Sequence, residues 1–301
     1  MFKNVTLYKI DLVSMPSLME VLLPSLQRVE FTPCGSLEMT SSGFVPPVKH
    51  GDLVHKVDKQ ILMRVQTEKR LLPSSVVNEQ LAKVLEQFEI DNGYAAGRKL
   101  RRELKDDVIV QLLPQSFTTK THTDVWLDTK NGWLVINTAS TSKSDLVIRL
   151  LLKAIPNIAI EMVRINNAPT AAMTDWLAGG ENPYNFTIDN NGELKSHLGA
   201  TIKYVKHSLA EKSVQEHISS GKQCSKLALT WNDKISFVLT DSFLIKKIEL
   251  LDVLQEKLGE LQEEQFDGEF LMETGELNLL FADLIDALGG ELLPEKTGEL
   301  Q

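Results

Sequence analysis

Residues 122–139 read His-Thr-Asp-Val-Trp-Leu-Asp-Thr-Lys-Asn-Gly-Trp-Leu-Val-Ile-Asn-Thr-Ala. Two runs rich in valine, leucine, isoleucine and tryptophan flank an Asn-Gly pair, which is a strong short-range signal for a β-hairpin. The stretch predicts strands over His122–Asp128 and Trp133–Ala139 that turn at Lys130-Asn131-Gly132.

The segments around this hairpin are assigned from the spacing of their apolar residues. Further strands are expected at Phe2–Ile10, Ile61–Val65, Lys226–Trp231 and Ile235–Leu239, and helices at Ser17–Val29, Ser74–Phe88, Ala95–Leu113 and Leu146–Ile155. Residues 166–191 are rich in Asn, Gly and Pro and indicate a boundary. This order of strand, helices, hairpin and helix predicts an α+β fold rather than regular βαβ winding.

The composition is that of an ordinary soluble protein, with 301 residues of which 43% are hydrophobic and 24% charged. Cys34 and Cys224 lie far apart, which argues against a disulfide framework and for a reducing compartment. No stretch approaches the roughly 18 uninterrupted apolar residues of a membrane span. We therefore expect a cytoplasmic protein that has no membrane partner.

The acidic charge is concentrated at one end of the chain. Residues 249–301 contain 15 acidic and 2 basic side chains, so their net charge is −13. Because the whole chain has a net charge of −9, residues 1–248 have a net charge of +4. Leucines recurring every three to four residues over Leu244–Leu261 and Leu277–Leu288 predict two amphipathic, acidic helices. Because phosphates repel such a module, it should face away from nucleic acid or bind another protein.

A cluster of basic residues lies in the third predicted helix. Arg98, Arg101, Arg102 and Lys105 are spaced to share one helix face, with Lys99 beside them, and such a face can track phosphates. The alternative is an ordinary solvated face, since acidic residues are interspersed. Phe117 follows the helix-ending Pro114; it can stack against or wedge between bases, although a lone phenylalanine is more often part of a core.

Signatures of common enzymes are missing from the sequence. It has no glycine-rich nucleotide motif, no Gly-x-Ser-x-Gly and no His-Glu-x-x-His, and its six histidines are scattered without metal-ligand spacing. Cys34 is better explained as a structural thiol than as a nucleophile because no partner residue is identifiable. We expect a protein that is not an enzyme and that has neither a cofactor nor a catalytic metal.

Eight short segments, in order along nearly the whole chain, resemble those of the recombination-associated protein RdgC family. They are Phe31-Thr-Pro-Cys-Gly, Val45-Pro-Pro, Leu72-Pro-Ser, Leu104-Lys-Asp-Asp-Val, Leu112-Leu-Pro-x-x-Phe, Trp126-Leu-Asp-Thr, Lys226-Leu-Ala-Leu-Thr-Trp and Thr274-Gly-Glu-Leu. One departure is Gln115, where relatives carry a basic residue.

The resemblance implies a mixed multi-domain chain that assembles into a ring-shaped homodimer around double-stranded DNA. Such a protein binds DNA without sequence preference, is associated with the nucleoid and restrains the RecA recombinase. The implied divisions are a central α+β domain (1–73 with 122–165), a helical finger carrying the basic stripe (74–121) and a base domain with the acidic C-terminal helices (166–301). The expected DNA-binding residues are Arg98, Lys99, Arg101, Arg102, Lys105, Phe117, Lys120, Lys203, Lys206 and His207.

Other interpretations remain open from the sequence. Lys203 and Lys206 are equally well explained as ordinary surface lysines. The chain as a whole can be an acidic protein-interaction module that acts on a recombination protein with little direct DNA binding, or a nuclease whose metal site the sequence does not reveal.

Overall fold

A computed structural model describes residues 2–12, 18–259 and 265–292. Within these residues the chain forms twelve strands and eight α-helices. The strands are β1 (Asn4–Ile10), β2 (Thr40–Val45), β3 (His55–Val57), β4 (Gln60–Arg70), β5 (Thr118–Asp128), β6 (Trp133–Ile136), β7 (Ile160–Met162), β8 (Phe186–Lys195), β9 (Thr201–Tyr204), β10 (Gln223–Trp231), β11 (Ile235–Thr240) and β12 (Ile245–Leu250). The helices are α1 (Leu18–Gln27), α2 (Ser74–Asn92), α3 (Arg98–Leu112), α4 (Thr141–Ala154), α5 (Pro169–Leu177), α6 (Lys212–Ser219), α7 (Asp252–Gly259) and α8 (Gln265–Ala287).

All twelve strands belong to one sheet, with the order β2-β4-β5-β6-β1-β12-β11-β10-β8-β9. Two short strands lie off this path, β3 against β4 and β7 against β1. Every pair of these strands is antiparallel, and the two halves of the sheet meet where Asn4 and Val5 of β1 pair with Lys246 and Ile245 of β12. The predicted α+β class is confirmed.

The hairpin of residues 122–139 is confirmed as β5 and β6, and its turn shows why the sequence specifies it. The buried Asp128 carboxylate accepts hydrogen bonds from the Lys130 backbone N–H at 2.8 Å and the Asn131 side-chain amide at 2.7 Å. Gly132 has a φ of 70°, and a Cβ there would lie 2.9 Å from the Ile10 carbonyl oxygen. Glycine therefore satisfies both the backbone angle and the close approach of β1.

Helices cover both faces of the sheet. On one face α1 and α4 pack over the first half of the sheet, and on the other α5, α6 and α8 complete a second core. Side chains alternate between these cores along each strand, as with Val125 and Trp126 of β5. Each fully buried leucine or phenylalanine side chain stabilises the fold by about 1.5–3 kcal/mol.

The face of β8–β12 opposite to α5, α6 and α8 carries an open groove of about 370 Å³. Strand residues and Val205 line it, and no described helix contributes to its lining.

The helix expected over Leu244–Leu261 is wrong in its first half. Residues 245–250 form β12, which pairs with β1 and β11, and the helix begins only at Asp252. Lys247 has a φ of 52° where the register with β11 shifts, a β-bulge that turns Ile245, Ile248 and Leu250 towards the core. The spacing of Leu244, Ile248 and Leu251 is helical, whereas the bulged strand buries Ile245, Ile248 and Leu250. The second predicted helix is confirmed as α8.

Candidate nucleic-acid interface

The predicted helical finger is an α2–α3 hairpin inserted between two neighbouring strands. It leaves β4 after Arg70 and returns at Thr118 of β5, and these two residues form the last pair of the β4–β5 ladder. Helix α2 is about 28 Å long and ends at Gly93, whose N–H donates to the Glu89 carbonyl at 2.8 Å. Only Val77 and Leu81 of α2 and Val108 of α3 are buried. Most of the hairpin surface is therefore exposed to solvent.

The basic stripe lies on α3 as expected, and its cations are available to a ligand. Arg98, Arg101, Arg102 and Lys105 are exposed, and none of them has an ion-pair partner within the described part of the chain. Lys99 is 93% exposed and lies 3.9 Å from Glu103. Val108 is the only residue of α3 that is buried, so the exposed cations of the stripe are not used to hold the fold together.

Phe117 projects into solvent, with 83% of its surface exposed, and so is not a core residue. Its backbone is nevertheless fixed, since its carbonyl accepts a hydrogen bond from the Leu71 N–H at 2.7 Å. An exposed aromatic ring on a held backbone is the arrangement that stacking against a base requires.

Arg70 holds the base of the hairpin, a role that no sequence pattern indicates. Its guanidinium donates to the carbonyl oxygens of Leu113 (2.9 Å), Ser116 (3.3 Å), Gly35 (3.0 Å) and Glu38 (3.1 Å). These acceptors come from two distant segments on either side of β4. The residue therefore ties the segment before Phe117 to the turn at residues 35–38.

Lys120 lies three residues beyond Phe117 on β5, opposite Glu68. Its ammonium group is 5.7 Å from the centre of the Phe31 ring. Hydrogen bonds from the Cys34 backbone N–H, at 2.8 Å, and from the Thr118 hydroxyl hold the pKa of the buried Glu68 carboxyl below its usual value, and the charge of Lys120 adds to this. Lys120 is thus a cation whose charge is partly offset.

Lys203, Lys206 and His207 form a separate group at the other end of the sheet. Strand β9, which contains Lys203, is seven positions from β5 in the strand order, a contour of about 34 Å along the sheet. The structure therefore does not bring the two predicted sets of DNA contacts together within one chain.

Neighbouring acids neutralise part of this second group. Lys203 lies 3.9 Å from Glu193, and His207 lies 3.4 Å from Glu211. Burial by itself would raise the pKa of the Glu193 carboxyl. Hydrogen bonds from Lys226 and Ser225 outweigh burial and hold this pKa below its usual value, so the acid stays charged.

Lys206 is exposed and its backbone conformation is uncommon. It has a φ of 53°, and its N–H donates to the Asn191 side chain at 3.0 Å, while the next N–H, of His207, donates to the Asn190 carbonyl at 2.9 Å. Two adjacent asparagines of β8 thus hold the loop that presents Lys206.

Sequence reasoning missed Lys226 and Lys247, which line the open groove together with Lys203. Asp189, Glu193 and Glu249 also line it, so the groove has a mixed charge. Lys226 could have been found from its alternation with the buried Leu227, whereas Lys247 lies in the segment assigned to a helix.

The acidic residues of α8 are largely engaged within the molecule. Asp283 accepts from the Trp231 indole N–H at 2.7 Å, Glu276 pairs with Lys234 at 2.9 Å, and Asp267 lies 2.7 Å from His55. Glu273 is buried and accepts from the Phe2 backbone N–H at 2.6 Å. The acidic surface that a pure interaction module needs is therefore smaller than the charge count implies.

Within the described ranges, His, Cys, Asp and Glu side chains form no group of three or more able to hold a metal ion. None of the helices in these ranges has the length and hydropathy to cross a membrane.

The family model described as "Putative exonuclease, RdgC" matches residues 1–291 of this chain. The chain belongs to the RdgC family. Proteins named recombination-associated protein RdgC are similar over almost their full lengths. That of Janthinobacterium sp. (strain Marseille) is 42% identical over 97% of this chain and 98% of its own. The protein of Herminiimonas arsenicoxydans is 42% identical, and that of Cupriavidus pinatubonensis (strain JMP 134 / LMG 1197) is 43% identical. Both similarities cover 96% of this chain and 98% of the relative.

Proposed function

We propose that this RdgC-family chain binds double-stranded DNA without sequence preference, as a ring-shaped homodimer that encircles the duplex. The observation that carries the proposal is the row of exposed cations Arg98, Arg101, Arg102 and Lys105 on α3, which lack ion-pair partners among the described residues. In an encircling complex these cations contact phosphates, which carry no base information. The expected result is binding that depends steeply on salt and little on sequence.

The tip of the molecule combines two kinds of DNA contact. The α3 stripe supplies charge, and the exposed Phe117 ring can stack on or wedge between bases. Arg70 fixes the segment before Phe117, so the ring is presented at a defined place relative to β4 and β5. Lys120 continues the contact surface along β5.

The separation of the two basic groups supports a lumen rather than a single binding patch. In a ring, the α3 stripe with Phe117 and the group at Lys203, Lys206 and His207 contact different parts of the encircled duplex. The far end of the α2–α3 hairpin exposes Ile90 by 70% and Tyr94 by 62%, which suits a contact with a second subunit. A ring on DNA obstructs a RecA filament on the same molecule, and this is how we propose that the protein restrains recombination at the nucleoid.

The test compares two variants that remove the same charge from different faces. One replaces Arg98, Arg101, Arg102 and Lys105 with alanine, and the control replaces the exposed Arg28, Lys143, Arg149 and Lys153. Fluorescence anisotropy with a labelled duplex should show a much weaker complex for the first variant and a nearly unchanged one for the control. Equal affinities would contradict the role of the stripe, whereas a lack of DNA binding by the unmodified chain would favour the acidic protein-interaction module.

The description of the matching family model makes exonuclease activity a second candidate. It is tested by incubating the full chain with an end-labelled linear duplex and Mg²⁺, with EDTA as the control. Release of labelled nucleotides that EDTA abolishes and that co-purifies with the chain would support an enzyme. An intact duplex under conditions in which the protein is bound to it supports the binding protein proposed above.

A further inference from the structure

Strands β4 and β5 continue past the hydrophobic cores towards the α2–α3 hairpin, and their register decides which side chains stand beside Phe117. Arg70 pairs with Thr118 at the end of the β4–β5 ladder. The hydrogen bond from the Leu71 N–H to the Phe117 carbonyl extends this register by one residue. Because opposed residues of an antiparallel pair project from the same face, Leu71 lies beside Phe117. Leu71 is 48% exposed, so two neighbouring apolar side chains meet solvent here.

The same face continues along both strands away from the hairpin. Residues two apart on a strand share a face, so Lys69 follows Leu71 on β4, and two threonines follow Phe117 on β5. All five side chains are exposed. We call this surface the Phe117 face, and it consists of Lys69, Leu71, Phe117, Thr119 and Thr121.

The opposite face of these strands is covered by the chain itself. There the Glu68 carboxylate accepts a hydrogen bond from the Cys34 N–H at 2.8 Å, and the Ser41 hydroxyl donates to the Thr32 carbonyl at 2.5 Å. Glu68 alternates with Lys69 along β4, so its carboxylate points away from the Phe117 face. The Phe117 face is therefore the open side of this part of the sheet.

The side chains of the Phe117 face suit the backbone of a nucleic-acid strand. Threonine hydroxyls and lysine ammonium groups are common donors to phosphate oxygens. Lys69 has no ion-pair partner in the described ranges, so its charge is available. None of the five residues carries a carboxylate that would repel phosphates.

Phe117 decides which form of DNA this face fits. In a paired duplex each base is stacked on its neighbours, and an aromatic ring gains access only by unstacking them. That cost is least for a base that is already unpaired. Single strands are bound in this way by sheet surfaces that combine aromatic rings with cations.

We propose that the Phe117 face binds an unpaired DNA strand next to the encircled duplex. A base of this strand packs against Phe117 and Leu71. Its phosphates accept hydrogen bonds from Lys69, Thr119 and Thr121. This inference rests on the DNA binding of the proposed function and adds a subsite for which gapped DNA is preferred to fully paired DNA.

The salt dependence of binding to two matched probes tests the subsite. One probe is a fully paired duplex, and the other is the same duplex with a short internal single-stranded gap. The unmodified chain should bind the gapped probe more tightly. Each phosphate contact on a single strand contributes about −0.7 to the slope of log affinity against log salt. Lys69→Ala should therefore make this slope shallower by about 0.7 on the gapped probe and by less on the paired one.

The control is Lys56→Ala, which removes the same charge from an exposed position on β3 and should change neither slope. A second variant, Thr119→Val with Thr121→Val, removes two hydroxyls and keeps the β-branched shape that strands favour. It should weaken binding to the gapped probe by about fivefold or more, as expected for two lost hydrogen bonds, and binding to the paired probe by less.

The possible failures are distinguishable. Equal affinity of the unmodified chain for the two probes, or an equal effect of Lys69→Ala on both slopes, would overturn the subsite. A Lys69→Ala variant that behaves like the Lys56→Ala control would do the same and leave this face to a protein partner. Binding of the paired probe keeps the proposed function in each of these cases, whereas binding of neither probe overturns both proposals.

Discussion

The α2–α3 hairpin and helix α8 use their charges in opposite ways. On α3 the arginines and Lys105 are exposed and lack ion-pair partners in the described ranges, whereas on α8 Asp267, Glu273, Glu276 and Asp283 all contact other parts of the fold. A formal charge of −9 therefore misrepresents what a ligand meets. The acids stabilise the molecule and the α3 cations are free to bind.

The largest effect on stability is expected from Asp283→Ala. This change leaves the buried Trp231 indole N–H without its acceptor and also removes the 3.0 Å contact with Asn185. The free energy of unfolding should fall by about 2–3 kcal/mol, as measured by urea denaturation, with DNA affinity unchanged at temperatures where the protein is folded. Asp286→Asn, at an exposed site on the same helix, is the control and should be neutral. Equal losses for the two variants would contradict the structural role of the α8 acids.

The converse pattern is expected for Arg101→Glu with Arg102→Glu. Two lost phosphate contacts and new repulsion should weaken duplex binding by about tenfold to a hundredfold at low salt. The free energy of unfolding should stay within about 0.5 kcal/mol of the unmodified value because neither side chain supports the fold. The matched control reverses Lys143 and Arg149, which lie on α4. If the stripe variant instead unfolds more easily and still binds DNA, the comparison between the two regions fails.

Phe117→Ala separates stacking from charge. We expect a loss of DNA affinity of about fivefold or more, since base–aromatic stacking contributes about 1–3 kcal/mol. The salt dependence of binding should be unchanged because no charge is removed, and so should the melting temperature, because the ring is exposed. Leu198→Ala is the control, as this residue is 94% exposed in the β8–β9 turn. A drop in melting temperature for Phe117→Ala alone would show that the ring has a structural role.

The smallest effect concerns the pH dependence of stability through Glu273. Burial raises the pKa of this carboxyl in the folded chain, although the Phe2 N–H hydrogen bond acts in the other direction. The folded state therefore binds the proton more tightly than the unfolded state. The resulting contribution to stability is complete below the unfolded pKa and is lost as the pH rises through the folded one.

Glu273→Gln removes this titration and keeps an acceptor for Phe2. When the pH is lowered from about 8 to about 4, the urea midpoint of the variant should fall further, or rise less, than that of the unmodified chain, because the variant lacks the stability that protonation of Glu273 provides. A variant whose midpoint falls less than that of the unmodified chain would contradict the raised pKa of Glu273.

Local patterns predicted much of this fold. The β5–β6 hairpin and the helices α2, α3 and α8 follow from periodicity and turn residues. Strand β12 did not, because its bulge at Lys247 disrupts the two-residue alternation on which strand assignment depends. The three-part division into domains stays a prediction.

The candidate site was only partly visible in the sequence. The α3 stripe could be read from its spacing, but the exposure of Phe117 could not, because a phenylalanine after a helix is equally compatible with a core. Arg70 was invisible, since its four acceptors are backbone carbonyls 32 to 46 residues away. The internal partners of the α8 acids are distant in the same way, so charge counting alone overestimated the acidic surface.

The most direct test of the central claim is the salt dependence of binding to linear duplexes of unrelated sequence, measured by anisotropy with the unmodified chain. Each phosphate neutralised contributes about −0.9 to the slope of log affinity against log salt. The account predicts a slope of several units that is the same for every sequence. A slope near zero, or no binding at low salt, would contradict a DNA-encircling protein that holds the duplex through its free cations.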